Sequence, residues 1–292
     1  MIPLIELKNK EVVVSDINCS VVFEDTVIDL DEVIERPPLA ISIGKDEHSY
    51  NGIHYPLKFG SLGNISMITG EEKSRKSFVK SLIEACSIGG GANNYTENID
   101  RTGYGNLEIK GYIDGKYIIS IDSEQSKYDV WQNGNRIKQM CGQVPNTYKI
   151  LMWREKTTTE RLQLLDWLFM ESPYKDNLGL VMLDGYVDFV DDFNNQTEAK
   201  EFTAKLMKYS SLRNCHISGI LHLNPNSEKV RGHLGTILGQ KCEMVMMVKN
   251  LGDYSEVSCK VVRGSKKFKP FTIRIDRDWM PYISEDVEEN IL

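Results

Sequence analysis

The chain has 292 residues, about twice the roughly 150 of a typical domain, so one large α/β domain with attachments and two small domains both fit. Hydrophobic residues at 41% and charged residues at 26%, with 22 Gly and 9 Pro, exclude collagen-like, mucin-like and largely disordered chains. The 35 Lys and Arg against 42 Asp and Glu leave a net charge of −7, which excludes a polycation that coats nucleic acid, so any such contact is local.

The longest apolar runs, such as Leu180 to Leu183 and Met244 to Val248, fall far short of the ~20 residues of a membrane helix. The start MIPLIELKNKEVV lacks a signal-peptide pattern, so a cytoplasmic location and no membrane partner are expected. Cys19, Cys86, Cys141, Cys215, Cys242 and Cys259 form no CxxC pair and are expected as reduced thiols, mostly in the core.

In chain order, residues 11 to 34 alternate apolar and polar positions (Val12, Val14, Ile17, Val21, Phe23, Val27, Leu30), which predicts a β-rich attachment over 1–36. Pro37-Pro38 forbids helix and marks the boundary of a main domain over 37–280 that opens with a strand, Leu39 to Gly44. From about residue 60, apolar runs at Ile65 to Thr69, Tyr117 to Ile121, Tyr148 to Met152 and Leu180 to Leu183 are separated by helical periodicity. That alternation predicts an α/β fold with a mainly parallel sheet and helices on both faces. Thr157 with Glu160 makes a capping box for a helix carrying Leu162, Leu165, Leu168 and Phe169 on one stripe. Gly89 to Gly105 and Leu223 to Gly235 read as loops. Glu243 to Asp276 reads as successive strands with a turn at Asn250 to Asp253, and residues 281–292 as an acidic tail.

The most informative stretch is ISMITGEEKSRKSFVKSLIEACS, residues 65 to 87: an apolar strand, a polar turn from Gly70, then Lys76-Ser77 at the head of a helix. In the phosphate loop GxxxxGK[ST], backbone N–H groups and a helix N-terminus surround phosphates, Lys neutralises β/γ oxygens and Ser reaches Mg²⁺. Here the loop comprises Gly70, Glu71, Glu72, Lys73, Ser74, Arg75, Lys76 and Ser77, followed by Phe78. Arg75 occupies the second glycine position, which predicts a backbone that avoids the conformation needing glycine. The plainer alternative is a charged helix N-terminus.

A phosphate-bound Mg²⁺ and an attacking water each need a carboxylate from a strand end. LGLVMLDG delivers Asp184, as in a Walker B strand, with Asp188 one turn beyond as support. KYIISIDSEQSKYD places Glu124 just past its strand, where it polarises water, while Asp122 is assigned a structural role. CHISGILHLNP ends on His222, facing the γ-phosphate as a sensor. Lys229, Arg231 and His233 follow in a basic loop, a candidate contact for an anionic polymer.

GEEKSRKS, IDSEQSKYD, LGLVMLDGYVDFVDD, GILHLNPNSEKVRGHLG and CKVVRGSKKFKPFTIRID, in this order, resemble the RecA-like P-loop ATPase family, especially its RepA-type and DnaB-type hexameric helicase branch. The resemblance covers roughly residues 37 to 276. It implies ATP and Mg²⁺ as cofactors, a homo-oligomeric ring with ATP between neighbours, and single-stranded DNA at Asn224 to Gly235. It also implies that Lys76 and Ser77 are the phosphate-loop pair, Asp184 the metal acid, Glu124 the catalytic glutamate, His222 the sensor and Arg263 an arginine finger in trans. The span from Lys76 to Glu124 is longer than usual for the family, leaving 89–112 as an insertion. The alternative is an ATP-dependent regulatory or assembly switch that binds a protein, favoured by the net charge and by Asp188, Asp191 and Asp192.

Overall fold

The structure is a computed structural model and describes residues 18–88, 109–113, 115–224 and 227–284. The chain divides into two compact units, Met1–Arg36 and Pro37–Leu292. In the first, Cys19–Thr26 forms helix α1, where alternation predicts strand. The side chain of Asn18 accepts the N–H of Val21 at 3.4 Å, an N-cap signal that apolar alternation does not weigh. Residues 1–17 of the expected β-rich attachment lie outside the described residues.

The second unit opens with β1 (Leu39–Tyr50) and β2 (Ile53–Ser61). Their turn, Asn51-Gly52, has φ of 50° and 77°, as the tight hairpin turn that follows strand twist requires. The chain continues through β3 (Ile65–Gly70), α2 (Lys76–Ile88), β4 (Lys110–Gly111), β5 (Tyr117–Asp122) and α3 (Lys127–Cys141). Then come β6 (Tyr148–Met152), α4 (Thr158–Met170), β7 (Leu178–Asp184), α5 (Gln196–Arg213) and β8 (His216–His222). The described part closes with α6 (Gly232–Lys241), β9 (Met244–Asn250), β10 (Ser255–Val262), β11 (Phe271–Ile275) and β12 (Pro281–Ser284). The capping box at Thr157 and Glu160 starts α4.

Nine strands form one sheet in the order β12-β11-β10-β9-β3-β8-β7-β5-β6, parallel from β9 to β6 and antiparallel from β9 to β12. A smaller antiparallel sheet has the order β2-β1-β4. One expectation is corrected. Residues 281–284, expected in the acidic tail, pair with β11 as an edge strand, because Pro281 at a strand start sacrifices no ladder hydrogen bond. Lys110 and Gly111, expected in the insertion, pair with Ser42 and Ile41. The loop over 89–105 and residues 285–292 lie outside the described residues, as do Pro225 and Asn226.

Successive strand residues point to opposite faces, and each face has its own core. Ile68, Ile118, Leu180, Met182 and Ile220 pack with Val79, Leu82 and Ile83 of α2 and Ile137 and Met140 of α3. Met67, Ile119, Ile121, Val181, Leu183 and Leu221 pack with Leu165 of α4, Phe202 and Leu206 of α5 and Leu234 of α6. Each such buried side chain contributes roughly 1.5–3 kcal/mol, and the double covering explains why β7 is apolar from Leu178 to Leu183, up to its terminal Asp184. No helix among the described residues is long and apolar enough to cross a membrane. Of the six cysteines, Cys19 is exposed and five are buried; none forms a disulfide.

At the amino ends of the strands His216 is buried. Its Nδ1 lies 2.9 Å from the Ser61 carbonyl and its Nε2 2.8 Å from Ser66 Oγ, and since a carbonyl only accepts, Nδ1 carries the proton it donates there. Burial lowers its pKa below 6.5, although Glu243 opposes this. Between the folded and unfolded values the unfolded chain binds the extra proton. Stability is therefore intact above about 6.5 and falls with pH below it, by at most about 1.4 kcal/mol per pH unit. Thermal melts from pH 7 to 5 are expected to show a falling Tm that His216→Gln flattens; an unchanged slope in the variant assigns the acid sensitivity elsewhere.

Candidate nucleotide cleft

Parallel strands deliver their carboxyl ends to one edge, and register brings specific residues level there. Gly70 pairs with His222, Asp122 with Asp184, and Asp184 with Ile220. In open α/β sheets this edge is where crevices form. A cleft of about 760 Å³ lies here, lined by Lys73, Ser74, Arg75, Lys76, Ser77, Phe78, Glu124, Gln125, Asp184, Ile220, His222, Ile275, Asp276 and Trp279.

The turn from β3 into α2 forms one wall. A Cβ on Gly70 would lie 2.1 Å from the Val248 carbonyl oxygen, so the loop leaves the sheet against β9 only as glycine. Arg75 then corrects the sequence expectation: its φ is 69°, so the backbone keeps the left-handed conformation with a side chain in place. That costs a non-glycine residue roughly 1–2 kcal/mol. The guanidinium offsets the cost by gripping the β9–β10 turn, with Nη1 donating to Asn250 Oδ1 at 3.1 Å and Ser255 Oγ at 2.9 Å, and Nη2 to the Gly252 carbonyl at 2.8 Å.

Lys76, the first residue of α2, is buried and curls over its own loop. Its Nζ donates to the Gly70 carbonyl at 3.1 Å, to Ser74 Oγ at 3.4 Å and to the Glu71 carbonyl. Burial lowers its pKa to about 8, with Asp184 and Glu124 opposing, so the ammonium stays mostly charged at neutral pH. Across the cleft Asp184 is buried and its Oδ2 accepts no hydrogen bond. Burial pushes its pKa up to about 6, against the pull of Lys80.

Glu124 stands at the rim, 62% exposed, with its Oε2 3.9 Å from His222 Nε2. His222 holds the Glu124 carboxyl below the ordinary carboxylate range against the effect of partial burial. Asp122 serves the turn, as expected: its Oδ1 accepts the N–H groups of Glu124 and Gln125 at 3.1 and 2.8 Å. Asp188 Oδ2 accepts the Ser123 hydroxyl at 2.8 Å and so braces the same turn.

The chain matches no protein-family model and no curated protein.

Three expected positions of the phosphate loop, Gly70, Glu71 and Glu72, are not in the cleft lining. Glu71 and Glu72 are exposed. Arg263 follows β10 at the opposite edge of the sheet, where its Nη2 donates to the Gln240 carbonyl at 2.9 Å and caps α6. The basic trio runs from the loop after β8 into the first turn of α6. The Arg231 guanidinium stacks over Phe193 at 4.8 Å, while Lys229 and His233 are exposed.

Other groups enter that sequence reading passed over. Trp279, in the β11–β12 turn at φ 60° and 68% exposed, stacks on Phe78 with ring centroids 6.4 Å apart. Arg136 of α3 covers Phe78 at 4.0 Å and donates from Nε to the Trp279 carbonyl at 3.0 Å. A lone tryptophan in a polar turn was the available signal. Lys80 and Glu84 of α2 are buried behind Asp184. Burial alone would lower the Lys80 pKa, but Glu84, Asp184 and Asp122 outweigh it and raise it. Their signal was helical spacing, since Lys80 lies four residues after Lys76 and shares its face.

Proposed function

We propose that the chain is a Mg²⁺-dependent ATPase of the RecA-like type that works as a homo-oligomeric ring and couples hydrolysis to single-stranded DNA, as a RepA-like helicase, translocase or mobile-element replication ATPase does. One observation carries this reading: a cleft at the carboxyl edge of a parallel sheet in which a buried lysine at a helix start, a buried strand-end aspartate and a rim glutamate share one space. A triphosphate offers acceptors to the Lys76 ammonium, to loop N–H groups and to the positive end of α2.

The oxygen donors fit Mg²⁺, which binds through one or two protein oxygens plus phosphates. Ser77 Oγ and the Asp184 carboxylate would hold it, and when bound it would neutralise charge on the phosphate oxygens. Glu124, whose carboxyl His222 holds below the ordinary range, accepts a hydrogen bond from water and orients it for in-line attack. His222 also reports on the γ-phosphate position through the same contact. Arg263 belongs to this reading only as a residue offered by a neighbouring copy.

The aromatic end of the cleft suits a base. Trp279→Ala is expected to weaken ATP binding on the order of tenfold while leaving the affinity for inorganic triphosphate unchanged, measured by competition. Equal losses for both ligands remove Trp279 from base recognition.

A protein-binding switch has an observation of its own, since the Arg231 guanidinium is engaged by Phe193 within the chain. ATP turnover and particle mass, measured with and without single-stranded DNA across a salt series, separate the readings. Ring formation with DNA-stimulated turnover that declines steeply with salt supports the motor. ATP binding without DNA stimulation supports the switch, and a chain that binds no triphosphate overturns both.

A further inference from the structure

Behind the cleft, α2 buries a cation that the proposed chemistry does not use. Lys80 Nζ lies 3.5 Å from Glu84 Oε1 and 3.8 Å from Asp184 Oδ2, with the Lys80 side chain 3% exposed. Glu84 Oε1, Asp122 Oδ2 and Asp184 Oδ2 are all buried oxygens that accept no hydrogen bond. The other Glu84 oxygen is satisfied, accepting the Tyr148 hydroxyl at 2.9 Å. Lys80 itself does not line the cleft.

A pair made only for the helix needs one acid four residues away, and Glu84 supplies it. The second acid, Asp184, comes from β7, and a strand-end carboxylate buried beside other carboxylates is repelled by them in a medium that screens poorly. The ammonium, which is not part of the cleft lining, counters that repulsion at 3.8 Å from Asp184 Oδ2.

We propose that Lys80 is a positioning residue for the metal acid: its ammonium fixes the Asp184 carboxylate toward the cleft before nucleotide and Mg²⁺ arrive. This rests on the nucleotide reading above. Asp184 then needs no rearrangement on loading, and the Mg²⁺ requirement of tight nucleotide binding is set in part by a residue that touches neither ligand.

The test titrates Mg²⁺ into the full chain with fluorescently labelled ATP and follows nucleotide affinity, beside thermal melts. Lys80→Met/Glu84→Met replaces the buried pair by apolar side chains of similar length, a change that is often neutral for folding. The expected result is a melt close to wild type and at least tenfold more Mg²⁺ for half-maximal tightening, with affinity in chelator changed less than twofold. A double variant that melts and responds to Mg²⁺ as wild type does overturns the proposal. If the double variant does not fold, Glu84→Gln decides, because it keeps the ammonium and removes only its helical partner. An Mg²⁺ requirement within threefold of wild type supports the link to Asp184, and a tenfold rise reassigns Lys80 to Glu84 and overturns it. A wild-type chain that binds no labelled ATP is a different failure, that of the nucleotide reading.

Discussion

Lys76→Ala is expected to weaken triphosphate binding on the order of a hundredfold, because two or more charge-assisted hydrogen bonds to phosphate disappear together. The folded chain should tolerate the loss. Lys76 bonds only to its own loop, and burial already lowers its pKa to about 8, a sign that the ammonium is held at a cost. The measurement is the thermal midpoint with and without ATP. Saturating ligand stabilises a binding-competent fold by about 2.7 kcal/mol at a hundred times Kd, so wild type should show a clear upward shift and the variant almost none. A variant that keeps the full shift removes Lys76 from the phosphate site.

Glu124→Gln separates binding from chemistry. The side chain is 62% exposed, so the amide replaces the carboxylate without disturbing packing, and affinity for ATP should stay within a few-fold. Turnover should fall by about 10²–10⁴, the range for loss of a group that accepts a proton or aligns water. Single-turnover hydrolysis by enzyme in excess isolates the step. Asp122 and Asp188 offer no replacement, because neither lines the cleft and both brace the turn that carries Glu124. Wild-type hydrolysis by the variant ends the assignment of water orientation to Glu124.

Local patterns carried the strand–helix alternation, since strands buried on both faces read as continuous apolar runs and their last polar residue names the sheet edge. Asp184, Glu124 and His222 were legible for that reason. Asn51-Gly52 carries the signal of the β1–β2 hairpin, which the strand expected over Leu39 to Gly44 does not include. What stayed hidden depends on distant partners. The conformation of Arg75 is held by Asn250, Gly252 and Ser255, whose approach no local rule foretells. Lys80 and Glu84 look like an exposed helical pair until α3 and the smaller sheet close over α2. In α1 the cap on Asn18 outweighs apolar alternation, and Arg263 proved to be a helix-end partner within its own chain.

The grip of Arg75 on the β9–β10 turn ties two ends of the chain's length into one mechanical unit. The antiparallel meander that follows β9 acts as a clasp on the phosphate loop, so a fragment trimmed ahead of residue 250 would keep every motif residue at the loop yet lose the anchor that keeps its backbone twisted. The smallest piece that retains an organised cleft therefore extends through the meander, well past the last strand of the parallel sheet.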